Sequence, residues 1–148
     1  MSCSLGSENS IEKFEVMDKK ILPLICYESI YGDMNTGKNI DVISIITNDG
    51  WWGNTAGHKQ HFSYSKLRAI EQKRAVVRSA NTGISGFINP LGEVVEIAKW
   101  DEKKVIKSQV AICNTVTFYN QFGDYLGRIS SFISSIFILM IFVKSKVK

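Results

Sequence analysis

The sequence predicts an α/β chain that ends in one apolar helix, on three observations. Short apolar, β-branched runs bounded by polar residues occur at 21–26 (ILPLIC) and 41–47 (DVISIIT). One longer stretch, from His58 to about Ser79, carries apolar residues at helical spacing. Near the C-terminus, residues 129–143 (ISSFISSIFILMIFV) hold no charge at all.

Taken in order, the polar stretch 1–10 has no apolar region of the kind a signal peptide needs before Lys19 and Lys20. The run 21–26 suits a buried strand, with Pro23 limiting its pairing, and 41–47 suits a second. Residues 48–57 (NDGWWGNTAG) read as a Gly- and Asn-rich loop with two adjacent Trp. In the helical stretch, Phe62, Leu67, Ile70 and Val77 fall near one face, leaving Lys66, Lys73 and Arg74 to water. Residues 83–89 and 93–99 flank Pro90-Leu91-Gly92 and predict a β-hairpin. Residues 105–113 predict a further strand, and no internal repeat interrupts this order.

A chain of 148 residues, 45% hydrophobic and 11% aromatic, has the size of one ordinary domain and material for a core, which excludes wholesale disorder. Its net charge of +4 does not mark a nucleic-acid binder. Residues 1–125 hold 14 basic and 14 acidic side chains, so the excess lies in Arg128, Lys144, Lys146 and Lys148. A nucleic-acid interface would carry a basic stripe on the folded domain instead.

Those four cations flank the uncharged run. Its 15 residues reach roughly 22 Å as a helix, and a start at Tyr125 extends this to about 28 Å, close to the ~30 Å hydrocarbon core. Arg128 would then snorkel to the interface. Ser130, Ser131, Ser134 and Ser135 share one helical stripe, which suits packing against another membrane helix. The competing reading is a buried core helix; the Lys-rich tail favours a membrane span. By the positive-inside tendency, residues 144–148 are expected in the cytoplasm and the preceding domain outside it.

Three constellations bear on chemistry. In Ile25-Cys26-Tyr27-Glu28 an apolar strand delivers a thiol into a polar turn, where a nucleophile would have a fixed place. Glu28 alone would disfavour the thiolate, so a cationic partner is required that no local feature names. On the residues alone, nucleophile and inert packing both stay open for Cys26. The pair His58/His61 has the spacing of a metal pair on a helix but lacks further ligands at a familiar spacing, so surface or capping histidines are expected. Gly83-Ile84-Ser85-Gly86-Phe87 falls one Gly short of a nucleophile elbow and reads as a small-residue strand. Three Cys make no disulfide framework; Cys113 is expected in packing and Cys3 in a frayed terminus.

Cys26-Tyr27-Glu28, Asn48-Asp49-Gly50-Trp51-Trp52-Gly53 and Gln60-His61-Phe62 together resemble the carbon–nitrogen hydrolase (nitrilase) superfamily. Within it they resemble the membrane branch, the bacterial apolipoprotein N-acyltransferases. Arg68-Ala69-Ile70-Glu71, the run from Arg78 to Ser85, Asn89-Pro90-Leu91-Gly92 and the run from Thr117 to Asp124 extend the likeness from about Ile21 to Val143.

The resemblance implies a partial nitrilase-like α-β-β-α sandwich followed by one C-terminal transmembrane helix, in the bacterial inner membrane with the sandwich on its periplasmic side. It implies a Glu–Lys–Cys triad with Cys26 as nucleophile, Glu28 at the family's acidic position beside it, and the Tyr27 N–H at the oxyanion. Trp51 and Trp52 would belong to an apolar, substrate-binding loop near the lipid-facing mouth. The implied partners are a phospholipid acyl donor and the N-terminal diacylglyceryl-cysteine of an apolipoprotein as acceptor. No cofactor or metal is implied.

The family's Glu and Lys lie further upstream than the 25 residues before Cys26, and none of Lys13, Lys19 and Lys20 stands in the family's pattern. His58 replaces a common Pro. The expected division is therefore a polar segment of a truncated domain at 1–20, the C-terminal part of a nitrilase-like domain at 21–124, a membrane helix at 125–143 and a basic tail at 144–148. A chain of this kind, the C-terminal quarter or so of an enzyme, is expected to be inactive alone. Two other functions fit the residues: an amidase of the same superfamily acting on a small substrate, and a non-catalytic membrane-anchored remnant.

Overall fold

Three parallel strands bring their C-terminal ends to one edge of a six-stranded sheet, and that edge carries the chemistry-bearing residues. The structure, a computed structural model, describes residues 13–35 and 39–146. The strands β1 (Phe14–Val16), β2 (Lys19–Ile25), β3 (Val42–Thr47), β4 (Ala75–Ala80), β5 (Ser85–Ile88) and β6 (Val94–Ala98) lie side by side in chain order. β2, β3 and β4 run parallel; β1, β5 and β6 extend the sheet antiparallel. Helix α1 (Ala56–Gln72) makes the crossover from β3 to β4. Helices α2 (Phe118–Phe122) and α3 (Tyr125–Lys146) close the chain. The α/β class and the C-terminal helix agree with expectation. The polar stretch 1–10, Cys3 and Lys148 lie outside the described residues.

Alternation along β2 and β3 explains the core. Leu22, Leu24, Ile43 and Ile45 point to the α1 face and are fully buried, joined by Ile40, Phe62, Ala69, Val76 and Ile88. Each such Leu or Ile removed from water contributes about 1.5–3 kcal/mol before entropy is counted. Pro23 pairs only with Ser44 of β3, beyond the three positions that β1 covers, so its missing N–H falls where β2 is otherwise an edge. β1 itself escaped the sequence reading. It is joined to β2 by Met17 and Asp18, both at positive φ (49° and 59°), the backbone of a tight hairpin turn.

Three other expectations are corrected. The helix expected to run to about Ser79 stops at Gln72, because Lys73 adopts the left-handed conformation and returns its N–H to Ala69 and Ile70. Ala75-Val76-Val77 then enters β4. Arg74, expected in water, is 5% exposed, and its guanidinium donates to the carbonyls of Ile40, Gln72, Lys73 and Thr115. Leu67 and Ile70, expected in the core, are exposed; the buried face of α1 holds His58, His61, Ser65, Arg68 and Gln72 beside Phe62 and Ala69. His61, Ser65, Arg68 and Gln72 each find at least one polar partner on this face, so hydrophobic periodicity misplaced it.

The expected strand at 105–113 forms no ladder. That segment borders the sheet face opposite α1, where it helps enclose cavities of 410 and 110 Å³ beside Val77, Phe87 and Val95. Among the described residues α3 joins no core: none of the span Tyr125–Lys144 is buried.

Candidate active site

Cys26 is the first residue beyond β2 and opens a 3₁₀ turn, Cys26–Ile30. Its backbone is left-handed, with φ at +50°. A non-glycine residue there costs on the order of 1–2 kcal/mol, so its neighbours must hold it. The local hydrogen bonds do so. The Glu28 carboxylate accepts the Ile25 N–H at 2.6 Å, and the Ser29 hydroxyl donates to the Cys26 carbonyl at 2.7 Å. Glu28 therefore serves the backbone of the elbow.

The ends of the neighbouring strands complete the surroundings. β3 ends at Thr47, and Asn48 caps the next 3₁₀ turn, Asp49–Trp52, by accepting the Gly50 N–H. This turns Asp49 inward, fully buried. Its Oδ1 accepts from the Thr47 hydroxyl and lies 2.9 Å from Nδ1 of His61, while its Oδ2 accepts from Arg78 at 2.8 Å. Arg78, on β4, also donates to Ser65 Oγ and the Ile84 carbonyl, and its guanidinium lies over the Phe62 ring at 6.0 Å. His61 reaches the elbow with its other nitrogen, Nε2, which lies 3.0 Å from Ser29 Oγ and 3.2 Å from the Cys26 carbonyl oxygen.

Opposed effects set the charges. Burial pushes the Asp49 carboxyl up, but the His61 hydrogen bond, the Arg78 charge and the Arg78 and Thr47 hydrogen bonds outweigh it, so it titrates below its ordinary value. Burial pulls Arg78 below its ordinary value, partly offset by Asp49 and then by the charge of Cys26. The Arg78 guanidinium is thus committed to the buried Asp49 carboxylate.

Tyr27 and Trp52 face outward from this network. Their rings lie 5.9 Å apart, and His61 is 6.2 Å from Tyr27 and 5.0 Å from Trp52. With Ile30, Gly57, Gln60 and Tyr64 they line a pocket of 290 Å³. Gly57 lets Trp52 settle against α1, because a Cβ there would stand 2.9 Å from the indole. Of the two tryptophans expected in one substrate-binding loop, Trp52 lines the pocket and Trp51 is 84% exposed.

The structure thus brings Cys26, Tyr27, Glu28 and Trp52 to one edge of the sheet. Lys13 is remote in role, its amino group donating to the Asn39 carbonyl. Both histidines expected at the surface are buried, His58 against the Trp100 ring at 4.4 Å and His61 in the network. Ser85, of the incomplete elbow, accepts the Ala80 N–H instead. Cys113, expected in a packed strand, lies in the unladdered segment and donates to Thr115. Sequence reasoning missed the roles of Ser29, Asp49, His61 and Arg78, although the last three stand inside the quoted motifs.

The profile of the carbon–nitrogen hydrolase family matches residues 1–117. The chain is 38% identical over 125 residues to the apolipoprotein N-acyltransferase of Rickettsia prowazekii (strain Madrid E), covering 82% of this chain and 24% of that protein. It is 34% identical over 137 residues to the apolipoprotein N-acyltransferase of Wigglesworthia glossinidia brevipalpis, covering 90% of this chain and 27% of that protein. It spans about a quarter of the length of these curated relatives. Among solved structures it is similar to a carbon–nitrogen hydrolase from Helicobacter pylori G27, with a TM-score of 0.58 at 12% identity over 67% of this chain and 43% of that one. It is also similar to Nit3 of Saccharomyces cerevisiae, of the nitrilase superfamily, with a TM-score of 0.55 at 16% identity over 67% of this chain and 40% of that one.

Proposed function

Because the chain belongs to the carbon–nitrogen hydrolase family, we propose that Cys26 is the nucleophile of a thioester-forming acyl transfer, the phospholipid-dependent N-acylation of an apolipoprotein's N-terminal diacylglyceryl-cysteine. The observation that carries this reading is the left-handed elbow at the end of β2, which offers Cys26 from a rigid strand end. The names of the curated relatives support N-acylation of an apolipoprotein.

In the first half-reaction the Cys26 sulfur attacks the ester carbonyl of the phospholipid. The ester C–O bond breaks, the lysophospholipid leaves with a proton on its oxygen, and a thioester remains. In the second, the free α-amine of the lipoprotein attacks the thioester, the C–S bond breaks, an amide forms and the amine's proton returns to the thiol. The Tyr27 N–H serves the oxyanion. Glu28 fixes the elbow, Trp52 walls the pocket that Tyr27 and His61 also line, and exposed Trp51 suits a lipid interface.

α3 is one helix long and apolar enough to cross a membrane. In this reading it does so, with residues 144–148 cytoplasmic and the sheet on the other side, and the chain divides at 124/125 between the nitrilase-like part and the span. These 148 residues supply the nucleophile without the family's Glu and Lys, so the isolated polypeptide forms no acyl-enzyme.

A chimera tests the function. This chain replaces the matched segment of the Rickettsia prowazekii relative, and transfer of a labelled acyl group from phospholipid to a diacylglyceryl-cysteine peptide is followed. Transfer that disappears with Cys26→Ala is expected; transfer that survives the substitution refutes the assignment. Acyl-thioester on Cys26 of the isolated 148-residue chain would overturn its inactivity.

A further inference from the structure

We propose that His61 is a positioning residue which, with Ser29, clamps the Cys26 carbonyl and so keeps the thiol-bearing residue in its left-handed conformation. The inference rests on the reading of Cys26 as nucleophile and adds a function for a buried histidine that the acyl transfer itself does not use.

Three observations converge on one oxygen. The Cys26 carbonyl accepts from Ser29 Oγ at 2.7 Å and has Nε2 of His61 at 3.2 Å, while Ser29 Oγ and Nε2 lie 3.0 Å apart. Ser29 and His61 are 0% and 2% exposed, so no water competes for the contact. The peptide that carries this oxygen belongs to the one residue of the 3₁₀ turn at positive φ, +50° for Cys26. A carbonyl gripped from two directions fixes its peptide plane, and so fixes ψ of the residue that carries the thiol, half of its left-handed conformation.

His61 is itself immobilised. Asp49 Oδ1 holds Nδ1 at 2.9 Å, and Arg78 ties the other carboxylate oxygen at 2.8 Å. With Nδ1–H on the Asp49 carboxylate, where Arg78 Nη2 also stands 3.1 Å away, a second proton on Nε2 completes the clamp: the clamping ring is an imidazolium, and the carbonyl accepts from it and from the hydroxyl together. The ring also lies among Tyr27, Trp52 and the pocket they line. The chain from β4 through Asp49 and His61 to the elbow therefore transmits the rigidity of the sheet to Cys26.

Two conservative variants separate the two ends of the ring. In His61→Gln the side-chain amide nitrogen falls near the place of Nε2 and keeps the Cys26 contact. In His61→Asn it falls near Nδ1, keeping the Asp49 contact and losing the clamp. Both are made in the full chain, in detergent micelles, with Cys3→Ser and Cys113→Ser so that iodoacetamide reads Cys26 alone. Melting temperature is recorded for each.

Release of a conformation that costs on the order of 1–2 kcal/mol lowers its population about tenfold. His61→Asn is therefore expected to slow alkylation about tenfold, while His61→Gln stays within about twofold of the parent. The Cys26 Cα and Cβ chemical shifts should leave their left-handed values only in His61→Asn. Equal rates in the two variants, or parent-like rates in both, overturn the clamp. Should both variants unfold, Ser29→Ala decides: a slowing of about threefold or more supports the clamp, and an unchanged rate refutes it. If alkylation responds as expected but the chimera forms no thioester on Cys26, the nucleophile reading fails and the clamp stands.

Discussion

Arg78 donates to Oδ2 of Asp49 at 2.8 Å, and both side chains are wholly out of water. The two residues are 29 positions apart, on β4 and just after β3, so the contact binds the two central parallel strands at their functional edge.

Removing one member of such a pair leaves the other charged and unpaired in the interior. Arg78→Leu is expected to cost about 3–5 kcal/mol, far more than a surface substitution. Chemical denaturation against the parent checks this. A loss below about 1 kcal/mol would mean that the pair does not hold the edge together.

The same carboxylate gives stability a pH dependence of known sign. Asp49 titrates below its ordinary value of 3.8. Its contribution is therefore fully present above that value and is lost as pH falls through the lower folded value. Asp49→Asn should flatten the acid limb of the melting-temperature profile. A parent and variant whose profiles run parallel below pH 4 would contradict this.

The elbow predicts an inversion of the usual glycine penalty. At the +50° φ of Cys26 a glycine is unstrained, whereas alanine keeps the strain of the native residue. Cys26→Gly should be about 1 kcal/mol more stable than Cys26→Ala, although each removes the thiol. Thermal unfolding of the two variants side by side reads the difference, and equal stability would mean that the elbow carries no strain.

Ile138 lies near the middle of α3, and none of the span around it is buried against the described chain. A charge there is expected to oppose membrane insertion by about 2.5–3.5 kcal/mol. Ile138→Arg should move the chain from the membrane fraction to the soluble or aggregated fraction, while Lys144→Arg should not. Unchanged membrane association of Ile138→Arg would speak against α3 as a span.

What was legible in the sequence follows from the range of the forces involved. The buried strands 21–26 and 41–47, the hairpin across Pro90-Leu91-Gly92 and the uncharged C-terminal helix are local patterns of hydrophobicity and turn chemistry, and each reappears within a few residues of its expected place. α1 was overrun because Lys73, which stops it, belongs to a residue type that ordinarily continues a helix and does so here through a left-handed backbone. Its buried face was misread for a different reason. His61, Ser65 and Arg68 look like solvent residues, and only contacts to Asp49, Arg78 and Glu71 make their burial tolerable. Arg78 and Asp49 are 29 positions apart and pair only in the folded chain, so no local pattern shows them.

One attachment sets a dimension of the molecule. At the C-terminal end of α1, the Gln72 side chain accepts from Asn120 and the Glu71 carbonyl accepts from the Thr117 hydroxyl, both on the α2 segment. α3 starts three residues after α2 ends. His61, near the other end of α1, touches Cys26. The eleven positions from His61 to Gln72 span about 16 Å of rigid helix. α1 is thus a ruler laid between the Cys26 elbow and the root of the apolar helix. Inserting or deleting a single residue in it would change the stand-off by only about 1.5 Å, but would swing α2 by roughly 100° around the rod.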